Sequence, residues 1–192
     1  MPYSQNDEEK YILEHTKETG RFLDIGAADG VVFSNTRSLY ARGWDGVLVE
    51  PNFTEFSRLA CEYNDPERIK LVNVGLAPVG GFRKFYSSID MVSTTSQSHY
   101  DLWKNTAKYK EIYVRLAAVD EFFEYFPGPY QFINLDVEGE NFSLLQKLPL
   151  DELGCECLCV EFEDHESQIL QFLSGKWMSV YRSSENHVLI RR

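Results

Sequence analysis

The apolar positions of this chain repeat with two different periods, and each change of period marks a new element. Residues 8–18 read as a charged helical opening, and the short apolar run at 21–25, which stops at a glycine, reads as a buried strand. A helix is predicted over 34–42, closed by Gly43, and a second buried strand over 46–49. Phe53, Phe56, Leu59, Ala60 and Tyr63 recur at three-and-four spacing, the stripe of an amphipathic helix, with Asn52 and Glu55 placed as a capping box. A third strand is predicted over 69–74.

The alternation then lapses. Gly80 and Gly81 open an expected hairpin arm through Tyr86, and 87–113 is polar, rich in Ser and Thr, and without a readable period. Substrate-facing loops often have this character. Regularity returns with a helix over 119–125, a strand over 131–135, a helix over 141–147, a strand over 155–162 and a helix over 167–173. Two closing strands, 178–182 and 187–190, flank the turn at 183–186. Strands separated by helices of this length pair in parallel through right-handed crossovers, so the spacing predicts an α/β fold with a doubly wound, mostly parallel, seven-stranded sheet. The closing turn is too short for a crossover, so the last strand is expected to run antiparallel.

Length and composition add bounds. At 192 residues, with 43% apolar content, one domain over 1–192 is the expectation, with 80–115 as a substrate-facing insertion. No apolar run is long enough to span a bilayer, and the polar, acidic start is unlike a signal peptide, so a cytoplasmic protein without a membrane partner is expected. The formal charge of -11 would repel a phosphate backbone, which argues against a nucleic-acid partner. Three of the four cysteines, Cys155, Cys157 and Cys159, alternate with other residues, which places their thiols on one strand face as small buried hydrophobes rather than as metal ligands.

The chemistry-bearing residues cluster at strand ends. Asp24-Ile25-Gly26-Ala27-Ala28-Asp29-Gly30 closes the first strand with a D-x-G-x-x-x-G turn, in which glycines let the backbone approach a ligand. Its leading carboxylate suits an ammonium or sulfonium better than a pyrophosphate. Glu50, last in the second strand and followed by Pro51, is placed to accept hydrogen bonds from both hydroxyls of a ribose. Asn73, Gly75 and Leu76 would then meet an adenine edge, although a plain turn explains them almost as well. Asn134-Leu135-Asp136-Val137-Glu138-Gly139-Glu140 closes the central strand, where Asp136 is the leading general base and Glu138 could orient substrate; Glu140 is expected to cap the next helix.

The following strand ends in Glu161-Phe162-Glu163-Asp164-His165, and His165 could take a proton at neutral pH. Asp136, Glu138, Glu163 and His165 would also suit a hard divalent cation, an option that nothing else in the sequence supports, so no metal ligand is assigned.

Taken together, these blocks resemble the FkbM-type methyltransferases over nearly the whole chain. The lead Tyr3-Ser4-Gln5-Asn6-Asp7-Glu8-Glu9 is similar to that of one branch, and the match continues through Asp24-Ile25-Gly26-Ala27, Asp29-Gly30, Ser34-Asn35-Thr36, Gly43-Trp44, Gly46, Glu50-Pro51 and Asp136-Val137-Glu138-Gly139. The resemblance implies a Rossmann-like class I methyltransferase with S-adenosylmethionine as cofactor. The strand-end reading and the resemblance together give cofactor contacts at Asp24, Gly26, Ala27, Asp29, Gly30, Asn35, Glu50, Pro51, Asn73, Gly75 and Asp136, and catalytic roles for Asp136, Glu138 and His165, of which Asn73, Gly75 and His165 rest on their strand-end positions alone.

The resemblance further implies O-methylation of a hydroxyl on a sugar or natural product, that is, a small-molecule or glycan substrate. The family commonly carries Lys where this chain has Asn134, a departure that bears on the substrate class. Two rival readings stay open on the residues alone: a non-catalytic S-adenosylmethionine-binding or scaffolding protein, and a nicotinamide-dependent oxidoreductase.

Overall fold

The computed structural model describes residues 2–88 and 92–192; residues 89–91, inside the segment expected to face substrate, lie outside the described residues. The chain begins with α1 (Glu8–His15), β1 (Arg21–Ile25), α2 (Arg37–Ala41), β2 (Asp45–Val49), α3 (Phe53–Glu62) and β3 (Ile69–Val72). A second group follows: β4 (Gly75–Ala77), β5 (Gly81–Ser88), α4 (Gln97–Trp103), β6 (Tyr109–Ala118) and α5 (Val119–Tyr125). The chain closes with β7 (Phe132–Leu135), α6 (Asn141–Leu145), β8 (Cys157–Glu161), α7 (Glu166–Leu173), β9 (Trp177–Arg182) and β10 (Asn186–Arg191).

Seven strands form one sheet in the order β3-β2-β1-β7-β8-β10-β9. Its parallel pairs run from β3 to β8, and β10 is antiparallel to both of its neighbours. The reversed strand is therefore the last in sequence but not the last in space, because the short turn folds it back between β8 and β9.

Alternation along each strand sends residues to two apolar layers. Leu23, Ile25, Val47, Val49, Ile133, Leu135, Leu158 and Val160 pack with Phe122, Leu144, Leu145, Ile169 and Leu173 of α5, α6 and α7. Phe22, Leu48, Phe132, Cys157 and Cys159 pack with Ile12, Leu39 and Leu59 of α1, α2 and α3 and with Tyr63 just past α3. Helices thus cover both faces, as parallel sheets require.

The cysteine expectation needs one correction. All three thiols are buried, but Cys155 precedes the strand and joins the other layer, so only Cys157 and Cys159 share a face.

The capping box at α3 is half made. Asn52 Oδ1 accepts from Thr54 N at 3.1 Å, while Glu55 pairs with Arg58 at 3.0 Å and Glu50 Oε1 takes the Asn52 N–H instead, at 2.6 Å. The expected hairpin arm at 80–86 is a longer strand whose partner lies beyond α4: β5 pairs antiparallel with β6, which pairs parallel with β4, in a separate three-stranded sheet. One face of this sheet is open, with Phe82 and Tyr113 exposed, and so the polar-apolar signal there is blurred.

Candidate functional site

The carboxyl ends of β1, β2, β7 and β8 meet around one cavity, at the point where the strand order reverses between β1 and β7. The bend after β1 is held by backbone bonds from Gly26 N and Ala27 N to Val49 O at 2.9 and 3.1 Å. Gly26 has φ +88°, and a Cβ there would lie 1.7 Å from Asp136 O, so the tips of β1 and β7 can touch only because this side chain is missing. Three non-glycine residues of the lining have positive φ, Ala28, Phe33 and Glu138 at 47°, 60° and 51°, and Glu163, just past the tip of β8, has 46°. Such strain persists where the surroundings over-determine the backbone, as they do at ligand sites.

Of the residues that the sequence assigns to the cofactor, Asp24, Gly26, Ala27 and Asn35 line the cavity on the β1–α2 side, and Glu50, Pro51 and Gly75 line it on the β2 side. Asp24 is buried and doubly bonded, receiving Asn134 Nδ2 at 2.9 Å and Thr36 Oγ1 at 2.5 Å. Burial raises its pKa, against the pull of those two bonds. Glu50 Oε2 accepts from Ala28 N at 2.9 Å, and burial pushes the carboxyl up to about 7 despite its bonds to the Asn52 and Ala28 amides.

Asp29, Gly30 and Asn73 stand outside the lining and shape it from behind. Asp29 Oδ1 receives Val31 N and Val32 N, each at 2.9 Å; Gly30, at φ +73°, leaves room for Leu59 and Tyr63; Asn73 Nδ2 bonds Glu50 O at 2.8 Å.

Asp136 and Glu138 line the cavity from the tip of β7. Asp136 Oδ1 is buried with no hydrogen-bond partner among the described residues. Burial, then the charge of Glu138, raises its pKa well above the carboxylate range, and Glu161, at the tip of β8, is raised by burial and by Asp136. Asn141 orients Glu161: its Nδ2 donates to Glu161 Oε2 and its Oδ1 accepts from Val137 N, both at 2.8 Å.

Carboxylate atoms of Asp136, Glu138 and Glu161 lie within 4.8 Å of one another, so these three, rather than the expected set with Glu163 and His165, are the ones that could hold a metal ion. His165 is outside the lining, stacked on Phe142 at 5.7 Å between ring centroids. Glu140 sits at the cap position of α6 but makes no cap bond, turning instead to Arg83 and Thr95 at 3.5 and 3.2 Å.

Three residues escaped the sequence reading. His99 Nε2 lies 2.9 Å from Glu138 Oε2, and its Nδ1 lies 3.9 Å from Glu163 Oε1; it belongs to the stretch without periodicity, and nothing in the sequence marks it. Thr94 Oγ1, from the same stretch, donates to Glu138 O. Asn141 had a faint signal, an amide at the start of a helix just past a strand tip.

Among solved structures, the fold is similar to that of an rRNA methylase from Streptococcus thermophilus, with TM-score 0.53 and 10% identity over 95% of this chain and 93% of that one. It is similar also to a putative rRNA methylase from Clostridium thermocellum, with TM-score 0.55 and 11% identity over 100% and 98% of the two chains. At such identities the likeness shows the fold alone. No curated protein matches the chain in sequence. The family description "Methyltransferase FkbM domain" matches residues 24–180, which contain the whole strand-tip cavity apart from its Gln5, Glu185 and Asn186 rim. The chain belongs to the FkbM-type S-adenosylmethionine-dependent methyltransferases, in the Rossmann-like class I architecture.

Proposed function

We propose that this chain transfers a methyl group from S-adenosylmethionine to a hydroxyl of a small, uncharged acceptor such as a sugar or natural product. The observation that carries the reading is the convergence of Asp24, Glu50 and Asp136 on one cavity around the Gly26 bend. The polar groups present fit the cofactor. Asp24 and the unpartnered Asn35 Oδ1 are acceptors and suit a cationic, donor-rich end, whereas Glu50 has lone pairs beyond those used by the Ala28 and Asn52 amides and suits a ribose diol.

The cofactor supplies a methyl group already activated by positive sulfur. The chain's main task is alignment, worth roughly 7–11 kcal/mol, while a general base adds about 10² to 10⁴ in rate. Asp136 takes the proton as the hydroxyl oxygen attacks, and its raised pKa makes it a strong acceptor once ionised. Glu138 orients the acceptor, with His99 behind it. His165 has no place in this proton path.

The acceptor side is formed by Phe85, Ser93 and Thr95, with Val32 and Phe33; Phe85, Val32 and Phe33 offer apolar faces to a ring, and Ser93 and Thr95 offer hydroxyls. Glu138, Glu140 and Glu185 line the same cavity, and Arg83 is tied to Glu140. Such a rim repels phosphates, which favours a neutral acceptor over the RNA named for the similar structures.

The test uses S-adenosylmethionine labelled at its methyl group, with neutral sugars and an RNA as acceptors. Label should pass to a sugar hydroxyl at a rate that rises with pH through the ionisation of Asp136. Asp136→Asn should slow transfer by about 10² to 10⁴ with cofactor affinity nearly unchanged. Label on the RNA alone, or no affinity for the cofactor, would end the reading.

A further inference from the structure

Asp24 and Asn134 are register partners on β1 and β7, and Asn134 faces Cys159 on β8 in the same way. Strand alternation puts these three positions in the layer of Phe22, Phe132 and Cys157, so they form a short polar row at the top of an apolar face. Asn134 is 5% exposed and Asn35, which reaches the row from the loop before α2, is 6% exposed.

Hydrogen bonds run through the row in one direction. Asn35 Nδ2 donates to Asn134 Oδ1 at 3.0 Å, and Asn134 Nδ2 donates to Asp24 Oδ1 at 2.9 Å. The first bond decides which end of the Asn134 amide faces Asp24, because a flipped amide would set its oxygen against the carboxylate and its NH₂ against that of Asn35. Thr36 holds the other carboxylate oxygen. All of these donors are neutral, so Asp24 is oriented but its charge is not balanced by them. At the far end of the relay, Asn35 lines the cavity, and its Oδ1 is buried with no hydrogen-bond partner among the described residues. An orphaned buried acceptor in a ligand cavity points to a donor carried by the ligand.

We propose that Asn134 is a positioning residue for the charged end of the cofactor: it holds Asp24 in the orientation that receives the ammonium of the methionine portion, while Asn35 Oδ1 accepts a hydrogen bond from the same group. The proposal rests on the reading of this cavity as an S-adenosylmethionine site. An ammonium has three donors and no acceptor, which matches a carboxylate beside a free amide oxygen.

Calorimetry with the full chain and three ligands tests it: S-adenosylmethionine, S-adenosylhomocysteine, and 5′-methylthioadenosine, which keeps the adenosyl thioether but lacks the amino-acid end. Asn134→Leu should weaken the first two by about tenfold to a hundredfold and leave the third within about twofold, since only a hydrogen-bonded charge is disturbed. Asn35→Ala, which leaves the Asn134–Asp24 bond in place, should show the same split with a smaller loss, and it serves alone if the first variant does not fold. Equal weakening of all three ligands in a folded variant would mark a merely structural role and overturn the proposal, as would unchanged affinities. A native chain that binds none of the three would overturn the cofactor reading itself, a distinct failure.

Discussion

Gly26 and Gly43 both have positive φ, yet a Cβ on Gly26 would meet Asp136 O at 1.7 Å whereas nothing lies within 4 Å of one on Gly43. Gly43→Ala should therefore cost only the backbone term, about 1–2 kcal/mol, while Gly26→Ala adds the separation of two strand tips and should lose about 3 kcal/mol or more in urea unfolding. The glycine motif was legible in the sequence, but the reason for it, contact with a strand more than a hundred residues away, was not.

Glu50 gives a pH test at the same scale. Burial raises it from 4.5 to about 7, so the folded state holds its proton more tightly than the unfolded state does. The stabilisation is complete below 4.5 and lost as pH rises through 7. Between pH 5 and 8 the unfolding free energy of the native chain should fall relative to that of Glu50→Gln, and parallel curves would contradict the assignment.

At the scale of elements, α4 is the one to watch. None of its residues is buried, so no apolar face anchors it. It is held instead by polar and ring contacts: His99 on Glu138 and Glu163, Ser96 against Gly139, and the Tyr100 ring stacked on Tyr86 at 4.0 Å. Burial disfavours the His99 cation, but the hydrogen bond and charge of Glu138, with the charge of Glu163, outweigh it and raise the pKa. His99→Ala should speed hydrogen exchange across α4 while shifting the global unfolding midpoint little, because local opening here is only weakly coupled to the core. The sequence left this helix unread for the same reason: periodicity reports burial, and an element without a buried stripe has none to report. In contrast α3, with its stripe at three-and-four spacing, was legible to within a residue.

Across the whole molecule, the two apolar layers enclose the sulfur groups unevenly. Cys61 is exposed, whereas Cys155, Cys157 and Cys159 are fully buried, and burial pushes the Cys157 thiol up to about 12. Iodoacetamide should modify Cys61 alone in the native chain and all four cysteines after unfolding, as read by mass spectrometry; rapid native labelling at 157 or 159 would mean that the α1–α3 layer is not closed.

Outside 75–118 the order of strands and helices, the parallel sheet, the reversed last strand and the strand-tip positions of Asp24, Glu50 and Asp136 followed from the sequence, because burial imposes a period and short connections restrict topology. Which polar groups meet was decided only by the tertiary structure. Asn134 reaches Asp24 through β1–β7 register, Glu161 joins Asp136 through β7–β8 pairing, and His99 reaches Glu138 from another sheet's connecting helix. Such contacts join residues far apart in the chain, and no local pattern encodes a partner that only the packing of layers brings within hydrogen-bonding distance.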